Sequence, residues 1–147
     1  MSGLPYVETF CDLIVYKKAR ALSREIFQIT KKFPREEMFS LTDQIRRSSR
    51  SIGAQIAEAW AKRKYEKHFL SKLTDADGEQ QETQHWLETA FDCEYLTAEQ
   101  QSSLLPKCEE IGRLLGGMMA KAHLFCDPEK LLREETAPYL IGDDQPD

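Results

Sequence analysis

The chain has 147 residues, 41% of them apolar and 31% charged, the size and balance of one globular domain with enough apolar side chains for a real core. No run approaches the ~18 apolar residues of a membrane span, and Met1 to Phe10 has no basic stretch leading into an apolar one; a cytoplasmic protein is expected, neither membrane-spanning nor secreted. The net charge of -5 hides an asymmetry, because residues 1–72 carry 15 Lys/Arg against 8 Asp/Glu and residues 73–147 carry 5 against 17. Such a division suits self-association or an oppositely charged partner.

Four segments carry helical periodicity and none carries a period of two, which predicts an all-α fold. Val15, Ala19, Leu22, Ile26, Ile29 and Phe33 form one stripe of a helix over roughly residues 12–32, closed by Phe33-Pro34 because the residue before proline is pushed out of the helical region. A turn at Pro34-Arg35-Glu36-Glu37 follows, and Ser40, with Asp43 three residues on, is placed to cap a second helix over 41–63. Its stripe is Ile45, Ser49, Ile52, Ile56 and Trp60, with Ser48, Gly53, Ala54 and Ala57 leaving room for a close neighbour. Gly53 costs such a helix about 1 kcal/mol against alanine, so tertiary contact must compensate. A third helix over 65–95 has the stripe Phe69, Leu73, Ala76, Gln80, Thr83, Leu87 and Ala90, and its polar middle (Asp75, Asp77, Gly78, Gln80, Gln81) predicts weak packing or a kink.

Thr97 with Gln100 forms a capping-box pattern for a fourth helix over 98–125, whose stripe is Cys108, Ile111, Leu115, Met118, Ala122 and Phe125. Pro106 falls inside the pattern, so a kink near Ser102 or a restart at Pro106 is expected. Periodicity ends after Cys126, and residues 127–147 read as an acidic tail outside the domain of residues 1–126, with Leu131-Leu132 and Tyr139-Leu140-Ile141 as docking points. Four helices with short links predict an antiparallel up-down-up-down four-helix bundle.

The chemistry within this frame is sparse. Cys11, Cys93, Cys108 and Cys126 form no C-x-x-C pair and read as reduced thiols packed as small hydrophobes. Glu82-x-x-His85 supplies half of a bundle di-metal motif, but Ala120 and Tyr65 stand where the carboxylates before His123 and His68 would be needed, so a surface Glu–His pair is the better reading and no metal or cofactor is expected. Ser48, Ser49 and Ser51 have no histidine in their segment, and Gly112, Gly116 and Gly117 lie in a helical pattern; no catalytic residue is assigned and a binding protein is expected.

Arg46, Arg47 and Arg50 cluster within one turn, and Lys62, Arg63, Lys64 and Lys67 follow at the exit of the second helix. They make either a solvated face with ion pairs to the acidic helices of a sister subunit, or a surface for phosphate, whose affinity would fall steeply with salt. Tyr16, Phe27 and Trp86 lie off the core stripes and are the candidates for a subunit interface.

Several blocks resemble the four-helix-bundle family named for intervening sequences of large-subunit ribosomal RNA genes. They are Phe10-Cys11-Asp12-Leu13, Lys32-Phe33-Pro34, Leu41-Thr42-x-Gln44-Ile45-Arg46-Arg47, Ile56-Ala57-Glu58, Phe69-Leu70-x-Lys72-Leu73, Trp86-Leu87 and Glu110-Ile111-x-x-Leu114-Leu115, within roughly residues 9–124. The resemblance implies a homopentameric ring around a channel. The family also includes accessory proteins of diversity-generating retroelements, which bind a reverse transcriptase and its RNA through a basic surface. Gly53 stands where proline is frequent in that family, Ala59 where glycine ends the Ile-Ala-Glu block, and Asp75 and Asp77 where residues are apolar.

Overall fold

The computed structural model describes Val7–Glu129 and Leu131. Four long helices make the fold: α1 (Ile14–Thr30), α2 (Leu41–Ala61), α3 (Glu66–Asp92) and α4 (Ala98–Ala120), followed by a single turn, α5 (Ala122–Phe125). Each packs on its neighbours in sequence, and α4 closes against α1, so the bundle expected from the periodicity is what the chain forms. No strand occurs among the described residues.

Apolar residues recurring every three or four positions meet along one axis. Leu22, Ile26, Ile45, Ile52, Ile56, Phe69, Leu73, Leu87, Leu104, Ile111 and Leu115 are all buried. The α3 stripe is buried at all seven expected positions. Burying one such side chain contributes about 1.5–3 kcal/mol, which makes this contiguous core the main source of stability. Of the other stripes, Ile29, Trp60 and Met118 are only half-buried.

The polar middle of α3 does not break the helix. Gln80 Nε2 donates to Asp77 Oδ1 (2.8 Å), Gln81 Nε2 to Asp77 Oδ2 (3.1 Å) and Gln84 Nε2 to Gln80 Oε1 (2.7 Å). Thr83 donates to Ser48 Oγ across the α2–α3 interface at 2.9 Å. Buried polar groups that find partners cost little, so α3 stays continuous. Gly112 of α4 lies against this network; a methyl there would stand 2.8 Å from Gln80 Nε2. Gly53 of α2 is buried against Tyr16, whose ring would sit at an ordinary 3.5 Å from an added methyl.

Local features at the helix ends and at Pro106 differ from the sequence reading. The helix α1 begins at Ile14 because Phe10–Asp12 forms a 3-10 turn, in which the Asp12 carboxylate accepts N–H bonds from Glu8 and Thr9 that hold its pKa below the usual range. Ser40 occupies the N-cap of α2 but its side chain caps nothing. The helix α4 does not restart at Pro106: it runs through, with Pro106 and Ser102 both facing solvent, where a carbonyl without its helical donor can be hydrated. Instead the break comes at Lys121 (φ -114°, ψ 30°), after which α5 turns so that Phe125 stacks on Phe69 with ring centroids 5.6 Å apart. The Thr97–Gln100 capping box forms as expected, with bonds of 2.9 and 3.1 Å.

The end of α3 stores strain. Glu94 takes φ 63° while Glu94 N–H and Tyr95 N–H bond back to Phe91 and Ala90 (both 2.9 Å), the helix-ending arrangement that glycine adopts without steric cost. Glu94→Gly is expected to raise the unfolding free energy by about 0.5–1 kcal/mol, read as a higher urea midpoint at unchanged slope.

Two of the four thiols do not pack as hydrophobes. Cys11 and Cys93 are exposed, being on a surface turn and at a helix end, whereas burial pushes Cys108 up to about 12 and Cys126 to about 11. Leu131 is buried, and the expected docking points Leu132 and Tyr139-Leu140-Ile141 lie outside the described residues.

Candidate partner-binding groove

Helical spacing puts Asp43, Arg46, Arg47, Arg50 and Ala54 on the solvent side of α2, opposite its core stripe. Together with Met38 and Phe39, which precede the helix, they line a groove of about 500 Å³. Phe39 is 94% exposed, which is far more than a phenyl ring normally shows to water, and Met38 is 44% exposed. Beneath them Thr42 is buried, and its hydroxyl has no hydrogen-bond partner.

Two of the arginines, Arg46 and Arg50, are held in place from α1. Arg46 Nε donates to Thr30 Oγ1 (2.8 Å), and Thr30 in turn donates to the Ile26 carbonyl (2.8 Å). The Phe27 ring is surrounded by three cations, with Arg46 Cζ at 4.7 Å, Lys31 Nζ at 4.8 Å and Arg50 Cζ at 5.4 Å from its centroid. Each contact is worth about 0.5–1 kcal/mol at an exposed site, while the cations repel one another. Among the described residues no carboxylate lies within 4.0 Å of Arg46, Arg47 or Arg50. Arg47 acts electrostatically on Glu79 of α3, whose carboxyl pKa is raised by burial and by Glu82 and lowered by Arg47. An incoming anion would relieve the repulsion and meet guanidiniums already oriented.

Seven basic residues expected to act together are thus divided. Arg46, Arg47 and Arg50 share the groove. Lys62, Arg63, Lys64 and Lys67 lie at the α2–α3 turn, about 18 Å further along the helix axis from Arg50 to Lys62. There Arg63 lies over the Trp60 ring at 3.7 Å and donates to the Trp60 carbonyl at 2.8 Å.

The three candidate interface aromatics are all half-buried within the single chain. Tyr16 meets Phe10 edge-on at 4.9 Å and accepts a hydrogen bond from Arg20 at 2.9 Å. Phe27 lies beneath its cations. Trp86 contacts His85 edge-on at 4.6 Å, and its buried Nε1–H has no acceptor. It lines a second groove, of about 430 Å³, on the other side of Phe39 with Glu37, Gln44 and Thr89. Tyr95 bounds this end of the molecule, donating its hydroxyl to Glu37 (3.0 Å), a bond that with burial pushes its pKa up to about 12.

Phe39 and Met38 were not legible as site residues, since they fall between a turn and a helix cap where neither period applies. The only available signal was an aromatic residue beside a helix start with no stripe to join. Among the described residues no group of three or more His, Cys, Asp or Glu is placed to hold a metal ion, and no helix is long and apolar enough to cross a membrane.

The family model for the 23S rRNA-intervening sequence protein matches residues 11–117. A crystal structure of a protein of unknown function from the S23 ribosomal protein family of Bacteroides thetaiotaomicron is 34% identical to the chain. It aligns over 73% of this chain and 96% of that one, with a TM-score of 0.67. No curated protein matches.

Proposed function

The chain belongs to the 23S rRNA-intervening sequence protein family, and we propose that it works in the cytoplasm as a non-enzymatic, homo-oligomeric binding or scaffold protein, assembled as the pentameric ring that the family resemblance implies. One observation carries this reading. The helix α1 holds Lys17, Lys18, Arg20 and Arg24 against Glu25, whereas α3 holds Lys67 and Lys72 against seven carboxylates from Glu66 to Asp92. These two helices occupy opposite corners of the bundle, because each packs between α2 and α4. A body with opposite charge on opposite sides associates head to tail, and such contacts close into rings when the rotation permits. Light scattering tests it. A mass several times that of one chain is expected, and a single-chain mass at every concentration would remove the proposal.

The groove favours a second reading, an accessory protein that binds RNA for an enzyme such as a reverse transcriptase. Fixed arginines for phosphates beside an exposed aromatic ring for a base are the elements of single-strand recognition. A gel shift with single-stranded RNA over a salt series separates the readings: an intact oligomer that retains no RNA at low salt is a scaffold alone.

A further inference from the structure

We propose that the acidic segment Tyr139–Asp144 of the same chain folds back into the α2 groove, where the Asp143 and Asp144 carboxylates meet Arg46, Arg47 and Arg50. The proposal rests on reading that groove as an anion-binding surface. Its lining offers an occupant three guanidiniums, with no carboxylate within 4.0 Å of them among the described residues, and the buried, unpartnered Thr42 hydroxyl, against the single carboxylate of Asp43. A carboxylate accepts two N–H bonds from one guanidinium, so an acidic peptide satisfies such a lining directly.

The sequence beyond the described bundle has that chemistry. Residues 132–147 hold Glu134, Glu135, Asp143, Asp144 and Asp147 against Arg133 alone, and the apolar triplet Tyr139-Leu140-Ile141 stands just before the Asp143-Asp144 pair. Along α2 the groove runs from small Ser51 and Ala54 at one end through the three arginines to Asp43, with Met38 and Phe39 closing the far end. An extended strand covers about 13 Å from Tyr139 to Asp143, and α2 rises about 12 Å from Ala54 to Arg46. The apolar triplet therefore lies over Ser51 and Ala54 while the carboxylates reach the guanidiniums.

Reach permits it within one chain. Phe125 stacks on Phe69, and Cys126 lies in the field of Glu66 and Arg63, so the chain leaves α5 beside the α2–α3 turn. The Leu131 N–H bonds to the Asp127 carbonyl (3.1 Å), keeping that residue close by. Twelve residues separate Leu131 from Asp143, an extended span of about 40 Å, against about 21 Å along α2 from Trp60 to Arg46. A segment so placed competes with any other polyanion for the groove.

Carbodiimide coupling of the full chain tests this, because it joins an amine to a carboxylate in contact. Arg47→Lys or Arg50→Lys places an amine in the groove. The expected product links position 47 or 50 to Asp143 or Asp144 in a species migrating as one chain, and 1 M NaCl reduces it at least fivefold. The Lys72–Glu58 (3.0 Å) and Lys107–Glu25 (2.6 Å) pairs report that coupling has worked. Control links formed without a link to Asp143 or Asp144 overturn the proposal, and so does a link found only between two chains. Hydrogen exchange gives an independent reading: Arg46→Ala/Arg47→Ala/Arg50→Ala is expected to speed amide exchange across residues 139–144 at least threefold, and unchanged rates count against it. Neither measurement involves RNA or the oligomer, so this proposal and the reading beneath it fail separately.

Discussion

Phe69→Ala is expected to destabilise the bundle by about 3–5 kcal/mol, the largest effect of any single substitution considered for this chain. Phe69 is fully buried in the first turn of α3, and its ring stacks on Phe125 of α5. Truncation removes a phenyl ring from a close-packed interior and leaves the break at Lys121 without the contact that determines where α5 lies. Domains of this size are stable by about 5–15 kcal/mol, so the loss is a large share of the total. Thermal unfolding followed by circular dichroism, at fixed protomer concentration because assembly contributes to apparent stability, should show a midpoint lower by roughly 10 °C or more. Phe39→Ala is the internal control. The same side chain is removed, but from a position 94% exposed, and a change within about 0.5 kcal/mol is expected. Equal losses at the two sites would mean that burial does not rank these residues.

This contrast also shows which features were legible in the sequence. Phe69 sits on a stripe with a period of three to four, and that period, a direct consequence of helix geometry, located the α3 core residues one by one. Local rules were less dependable where tertiary contact overrides them. Of the two outcomes expected for Pro106, a restart of α4 does not occur, because its side of the helix faces water and the helix continues; the break at Lys121 is governed by where Phe125 finds its partner. Ser40 has a capping side chain but a backbone (φ -128°, ψ -108°) that does not use it. The candidate site was half-legible for the same reason. Adjacent arginines can be read from the sequence, but that Arg46 and Arg50 share the ring of Phe27, about twenty residues away, depends on how α1 packs on α2. Phe39 is exposed because no element among the described residues covers it, and no period encodes that.

Arg46→Ala/Arg47→Ala/Arg50→Ala is expected to remove most of the salt dependence of RNA binding by the full chain, if RNA is the groove's partner. Each phosphate neutralised on a single strand contributes about 0.7 to the slope of log affinity against log salt, so three contacts contribute about 2. Between 50 and 200 mM salt the native chain should then lose about fifteenfold in affinity through these contacts, and the triple variant should lose almost none of that share. Phe39→Ala acts on the other component. Base stacking contributes about 1–3 kcal/mol and releases no counterions, so this substitution should lower affinity at every salt concentration and leave the slope unchanged. The two variants therefore move different parameters of one titration, measured by fluorescence anisotropy with a labelled single-stranded oligonucleotide. The fold should survive both, since Arg47, Arg50 and Phe39 are exposed, Thr30 still donates to the Ile26 carbonyl once Arg46 is gone, and each lost contact with the Phe27 ring is worth only about 0.5–1 kcal/mol. Retention of native affinity and slope by the triple variant would place any RNA contact elsewhere, with the second basic cluster at Lys62 to Lys67 the next surface to test.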